Sequence, residues 1–530
     1  MGERSFNLAD LFEVVVDEVG DRPAVVAGDQ RLTYRDLDAR ASRVANHLVA
    51  AGVTPETRVG IYAWNRAEWI ESLLGALKAR AVPINLNYRY TADELRYVLD
   101  DADVEVLVVE AEFTPMVAEV RALLPRLRHV LVLDDTTTDS YEHALAAAAP
   151  DRPAGPRSPD DLYMLYTGGT TGMPKGVVWR HEDVFFAAMG GGGFGQPPIE
   201  TPDELAGRIP AVDDRMVSMV IAPLMHGAAQ WGGFITLFAG GTVALFTGHH
   251  FDPHAVWRIV ERERCTTVML VGDAMARPLA EALEDPAASY DTSSLFTIGS
   301  GGAVFSPTVK SQLQEQLPNV IIMDTIGASE VGSTGSAAAS VESTPRFVVR
   351  PSNAVLGDDL RPVAPGSGVV GRLARCGHIP LRYHKDEAKT AATFVTDPDG
   401  VRWAVPGDFA TVEADGTITL LGRGSQCINT GGEKVYPEEV EAALKSHPDV
   451  FDAVVVGIPD DRFGQRVAAI VHARDGSSLD LDELADHCRT TIAGYKVPRE
   501  LALVGSISRT PAGKPDYAWA RARFAGAGGR

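Results

Sequence analysis

Cysteine is scarce, with four in 530 residues. Cys265, Cys376, Cys427 and Cys488 are far apart and have no neighbouring Cys or His at metal-ligand spacing, so neither a disulfide framework nor a zinc site is indicated. A long apolar run is also missing. No stretch of about 18 consecutive apolar residues occurs, which excludes an ordinary membrane-spanning helix. The opening "MGERSFNLADLFEVVVDEVG" is acidic and amphipathic, without the basic start and apolar run of a secretory leader. A cytoplasmic protein that is not an integral membrane protein is therefore expected. Basic residues are the minority, 49 Lys and Arg against 71 Asp and Glu, giving a formal charge of -22. Such a surface repels nucleic acid, and an anionic substrate needs a locally positive pocket. Internal repeats are absent as well. The few low-complexity pieces, "EHALAAAAP", "MGGGGFG" and "FAGAGGR", suit linkers, loops or chain ends.

What is present is apolar patterning, 45 % of the chain, at a length that suits about two to four domains. Short apolar runs bounded by turns recur: "RVGIYAW", "VEVLVVE", "HVLVLDD", "DLYMLYTGG", "MVSMVIAPL", "TVALFT", "TTVMLVGD" and "VIIMDTIG". These predict strands buried on both faces. Helical patterns lie between them, such as Leu37, Ala41, Val44 and Leu48 after a capping Thr33. The alternation predicts an α/β fold with parallel sheets. After "GRGSQ" the units shrink to a Pro-started helix "PEEVEAALKSH", strands "AVVVGIP" and "RVAAIVHA", and a helix around "LDELADHC". We therefore expect a large layered α/β domain over residues 1–424 and a small α+β domain over 425–530.

One stretch concentrates glycine, threonine and a lysine: "YTGGTTGMPKG" at 166–176. Amides of a Gly-rich turn can converge on an anion, and Thr hydroxyls add donors without charge. A Walker A loop needs Gly-Lys-Ser/Thr, whereas Lys175 follows Pro174 and precedes Gly176, so that motif is excluded. Composition alone would also allow an ordinary surface loop. The stretch resembles the phosphate loop of the adenylate-forming superfamily of acyl-CoA synthetases, aryl-CoA ligases, luciferases and adenylation domains. Five further segments resemble its motifs in order: "SGGA" at 300–303, "DTIGASE" at 324–330, "PGD" at 406–408, "GRGSQCINTGGEKVYPEEVE" from 422, and "PAGKPD" at 511–516.

That resemblance implies a reaction in two halves. A carboxylate attacks the α-phosphate of ATP to give an acyl-adenylate and pyrophosphate, and the thiol of CoA then displaces AMP. The first half brings an anion to a polyanion, so cations and donors must surround the α-phosphate. Lys514 would bridge the carboxylate and the α-phosphate; by itself, a Lys near a Gly/Pro-rich end is ordinarily a solvated charge. Glu330 would hold Mg2+ with Thr167, and Ser329, in place of the usual Thr, would offer its hydroxyl to the α-phosphate. Thr167, Gly168, Gly169, Thr170, Thr171 and Lys175 would cradle the β- and γ-phosphates. Gly301, Gly302, Ala303, Asp324, Thr325 and Ile326 would flank the adenine. Asp408 would accept from the ribose hydroxyls, although an Asp after Pro-Gly is more often a turn residue, and Arg423 would add a second ribose contact. Gly431, Gly432 and Lys434 would line the pantetheine channel once the small domain has turned.

Two positions depart from the pattern. Ile326 stands where a Tyr commonly stacks on adenine, and Ser425 where the hinge usually carries Asp or Lys. "APLMHGAAQW" at 222–231 resembles the acyl-pocket segment, with His226 at a gating position; a lone His there also suits a packed core residue. No acid follows in "GAAQWGGFITLF" to hold an amino-acid ammonium, and "VGDAMARPL" and "GSGGAVF" add small and apolar lining, with Asp273 and Arg277 as exceptions able to pair. The wording looks closest to actinobacterial acyl-CoA synthetases, including those for sterol side-chain acids. A bulky or medium-to-long carboxylic acid is implied, in lipid or steroid degradation, with a homodimer allowed. The rivals are an enzyme that loads a carrier protein and a catalytically dead nucleotide-binding scaffold; Lys514, Glu330 and Asp408 together disfavour the scaffold.

Overall fold

A computed structural model of the protein describes residues 4–135, 140–169, 172–193, 195–303, 305–338, 346–423, 426–430, 433–460, 463–510 and 514–524. The double-sided apolar runs become strands, and among the described residues the strands assemble into sheets of fifteen, seven and five. In the seven-stranded sheet the order runs from Arg382–Tyr383 at one edge through Gly172–Arg180, Leu162–Gly169, Val82–Asn85, Arg58–Tyr62 and Val104–Glu110 to His129–Leu133. Its inner pairs are parallel, as strands buried on both faces require. The two strands carrying the glycine-rich stretch form an antiparallel hairpin in which Thr167 stands opposite Lys175.

Helix Tyr34–Ala50 starts where its pattern predicted. Thr33 accepts from the Asp36 amide while the Asp36 carboxylate accepts from the Thr33 amide, a reciprocal cap. Helices Leu8–Val19, Tyr34–Ala50 and Ala67–Lys78 bury their apolar faces in one core with Trp179 and Phe185. In the fifteen-stranded sheet, strands Thr267–Leu270, Thr297–Gly301 and Ile321–Ala328 run parallel side by side. Ligands of such sheets bind beyond the carboxyl ends of the strands, and there Gly301 lies opposite Thr325 and Ser300 opposite Asp324.

The small C-terminal domain has its own five-stranded sheet, built from Ile428–Thr430, Glu433–Val435, Val450–Asp460, Gly464–Ala473 and Glu500–Leu503. Helices Pro437–Lys445 and Leu481–Arg489 pack on one face through Val440, Leu444, Leu484 and Cys488. Helix Tyr517–Phe524 covers Val454 and Val456 on the other. The domain meets the large one where the Thr308 hydroxyl donates to the Lys445 carbonyl at 3.4 Å and the Arg277 guanidinium lies 5.1 Å from the Phe451 ring centre. The fold class expected from the sequence is the one observed.

Candidate active site

The glycine-rich hairpin is held from below by a buried asparagine. Asn85 accepts from the Tyr166 amide at 2.7 Å and donates to the Tyr166 carbonyl at 2.8 Å and the Met225 carbonyl at 2.6 Å. One side chain therefore joins the strand leading into Thr167 to the segment leading into His226. Asn65 repeats the device one turn earlier, donating to the Ala222 carbonyl at 3.2 Å and accepting from the Leu224 amide at 2.7 Å. Helix Gly227–Phe238 then begins directly after His226.

Partly buried, His226 has its pKa pushed down to about 4, first by loss of solvent and then by the charges of Lys514 and Arg89. The imidazole is neutral near pH 7. Lys514 belongs to the small domain, so its charge acts on His226 from across the domain boundary. Its carbonyl accepts from the Thr510 amide at 2.7 Å.

Glu330 is 8 % exposed, and its Oε1 accepts from the Tyr383 hydroxyl at 2.6 Å. The Trp179 indole donates to the Ser329 carbonyl at 3.0 Å, tying this turn to the glycine-rich hairpin. Beneath it, Arg375 donates through one nitrogen to the carbonyls of Ser333 (2.9 Å), Val331 (3.1 Å) and Ala187 (3.2 Å). Burial pulls that guanidinium down to about 10. Lys175 donates to the Asp386 carboxylate.

The adenine-side candidates converge on neighbouring strand ends. Gly302 has a φ of +83°, a conformation that suits its lack of a Cβ. Asp324 forms a buried ion pair with Lys310, yet burial raises its carboxyl above the usual range despite the lysine. Ile326 is 9 % exposed and packs with Ala337, Phe347 and Ala410, so its side chain serves the core while Thr325 beside it is exposed. Asp408 and Arg423 are register partners across one antiparallel ladder, which brings the two ribose candidates to the same level. Asp273 and Arg277 approach only to 3.9 Å; Asp273 accepts from the Ser306 amide at 2.8 Å, and Arg277 faces the small domain. Gly168 and Gly169 end the first strand of the hairpin. Lys434 lies on a strand opposite Asn429. Thr170, Thr171, Ser425, Gly431 and Gly432 lie outside the described residues.

Asn65, Asn85, Trp179, Arg375 and Tyr383 were not singled out from the sequence. A faint signal existed for Asn85, a polar residue closing an apolar strand. Among the described residues, one further acidic group with a histidine, Glu110, Glu112 and His249, lies apart, and Glu110 already accepts from the Trp64 amide and Arg66.

Comparison with known proteins identifies the family. The AMP-binding enzyme family matches residues 12–376, and the AMP-binding enzyme C-terminal domain matches residues 439–514. A medium/long-chain-fatty-acid–CoA/3-oxocholest-4-en-26-oate–CoA ligase of Mycolicibacterium smegmatis is 48% identical, covering 98% of this chain and 96% of its own. A 3-oxocholest-4-en-26-oate–CoA ligase of Rhodococcus rhodochrous is 46% identical with the same coverage. Among solved structures, the anthranilate CoA ligase AuaEII with anthranoyl-AMP has a TM-score of 0.85 at 24% identity, covering 99% of both chains, a likeness of fold. Among the described residues no helix is long and apolar enough to cross a membrane. The chain belongs to the AMP-binding enzyme family, as an AMP-forming CoA ligase that uses ATP and CoA.

Proposed function

We propose that this ligase activates a medium-to-long-chain fatty acid or a steroid side-chain acid as acyl-AMP and passes the acyl group to CoA, releasing AMP and pyrophosphate. The observation that carries the reading is that the family match takes in both parts of the chain, residues 12–376 and 439–514, with Lys514 at the end of the second and its charge acting on His226 of the acyl segment. A cation delivered there can meet an incoming carboxylate and offset its repulsion from the α-phosphate. The substrate class is supported by the relatives' names and by the apolar helix Gly227–Phe238, which carries no acid to hold an ammonium.

In this reading Thr167, Gly168, Gly169, Thr170, Thr171 and Lys175 hold the β- and γ-phosphates, and the Ser329 hydroxyl donates to the α-phosphate. Gly301, Gly302, Ala303, Asp324 and Thr325 frame the adenine, Ile326 contributing only its main chain because its side chain packs in the core; Asp408 and Arg423 take the ribose. The Glu330 carboxylate and the Thr167 hydroxyl form an all-oxygen donor set suited to a hard cation such as Mg2+. When bound, that ion supplies charge neutralisation at the phosphates. Tyr383 keeps Glu330 in one orientation through its hydrogen bond. His226, neutral, gates the acyl pocket without adding a second charge beside Lys514. The domains divide between residues 424 and 425, and rotation about Ser425 would bring Gly431, Gly432 and Lys434 to the pantetheine arm of CoA. The protein is placed in the cytoplasm, and a homodimer is compatible with this scheme.

The test is pyrophosphate release from ATP with short, long, aromatic and steroidal acids, with and without CoA, the products being weighed by mass spectrometry. Acyl-CoA from a long or steroidal acid is the expected product. Adenylate that accumulates with CoA present would refute the CoA half and favour a carrier-loading enzyme.

A further inference from the structure

Lys175 sits on a carboxylate whose place is dictated by main-chain pairing. Strand Arg382–Tyr383 pairs antiparallel with Val178 and Val177 of the glycine-rich hairpin, and the His384 amide donates to the Gly176 carbonyl at 2.8 Å. The chain thus runs along the hairpin until Asp386 stands beside Lys175. One Asp386 oxygen accepts from Lys175; the other accepts from the Lys389 amide at 2.9 Å and caps helix Glu387–Thr393. The Lys175 contact is the largest cause holding the Asp386 carboxyl below its usual range. The Lys175 and Asp386 side chains are 37% and 23% exposed, and a recess of about 360 Å³ lined by Tyr383, Lys385 and Arg402 opens beside Asp386, so small anions can reach the pair.

A lysine ammonium is a compact charge with three donors. Its attraction to a phosphate is weakened by whatever anion already lies against it. We propose that Asp386 is a positioning residue that competes with the triphosphate and with departing pyrophosphate for Lys175, so that neither is held too tightly. This rests on the reading of Lys175 as a phosphate ligand. Position 386 was not among the motif residues, and no sequence pattern pointed to it; the pairing links positions 211 residues apart.

The test is Asp386→Asn, because the amide oxygen still caps the helix while the charge is gone. The KM for ATP and the inhibition constant for pyrophosphate are both expected to fall about two- to fivefold, the range of a partly exposed ion pair, with kcat unchanged or lower. In a Lys175→Ala background the same substitution should change neither constant. Asp386→Ser, a capping residue without charge, should reproduce the shifts, and covers the case in which the Asn variant folds poorly. A purely structural role would lower kcat and stability without tightening pyrophosphate. Constants that stay put or rise in both Asp386 variants overturn the competition, as does an equal shift in the Lys175→Ala background. If Lys175→Ala itself leaves the KM for ATP unchanged, the phosphate reading falls and this inference with it.

Discussion

Tyr383→Phe removes one hydroxyl and nothing else from beside Glu330. The lost bond is 2.6 Å long, and both residues are buried, at 2 % and 8 % exposure, so water replaces the hydroxyl poorly. A hydrogen bond to a charged group contributes ~1.5–3 kcal/mol, which corresponds to about 10- to 150-fold in an equilibrium constant. If Glu330 holds the metal, that loss falls on the carboxylate's orientation, and partners of metal ligands typically contribute about 10- to 100-fold to affinity or activity. The assay is pyrophosphate release against free Mg2+ at saturating ATP and acid. The half-saturating Mg2+ concentration should rise at least about tenfold, with part of the rate recovered at high Mg2+. An unchanged Mg2+ dependence with a uniformly lower rate would refute the assignment of Glu330, since simple loss of packing acts at every concentration alike.

Lys514→Ala should reduce adenylate formation by about a thousandfold or more while ATP still protects the protein against thermal unfolding; an unchanged adenylation rate would remove Lys514 from the mechanism. Asn85→Ala leaves the polar groups of Tyr166 and Met225 without their partner, so a stability loss of ~2–4 kcal/mol is expected in denaturant unfolding of the large domain, together with a lower kcat/KM. His181 is fully buried and pushed down from 6.5 to about 4 by desolvation. Its neutral form therefore stabilises the fold in full above pH 6.5, and that contribution, roughly 3 kcal/mol at most, is lost as pH falls toward 4. Unfolding midpoints of wild type and His181→Gln between pH 7 and 4 should converge toward acid; parallel curves would contradict the shift.

The strands were legible because their signal is local. "VEVLVVE" and "RVAAIVHA" are apolar on both faces and bounded by turns, and each became a strand with buried residues along it. Thr33 announced its helix because a cap is set by residues three apart. The candidate site was legible only as far as its motifs are contiguous, which is why Lys175, Glu330 and Lys514 could be named while the side chains that hold them could not. Tyr383 lies 53 residues from Glu330, and Asn85 lies 140 from Met225. Their pairing follows from which strands become neighbours and in what register, a property of the assembled sheet that no short window contains. Ile326 shows the converse. Its place in a motif suggested a surface against the adenine, but the alternation along Ile321–Ala328 turns its side chain to the core beside Phe347.

The electrostatics give a reason for the proposed site to be divided between two domains. The chain carries a formal charge of -22, and the candidate pocket itself contains Glu330, Asp386 and Asp408. Against these the large domain brings Lys175, engaged with Asp386, while Lys310 is bound to Asp324 and His226 is neutral. The cation with which His226 is electrostatically coupled across the boundary, Lys514, belongs to the other domain. Without the small domain, the charge of Arg89 is what the large domain itself brings to bear on His226. With the small domain docked through Thr308 and Phe451, a positive charge stands at the acyl segment. If Lys514 takes the catalytic place proposed for it, charge repulsion between the two substrates is offset when both domains face them together, and domain closure and the first chemical step are then coupled through that lysine.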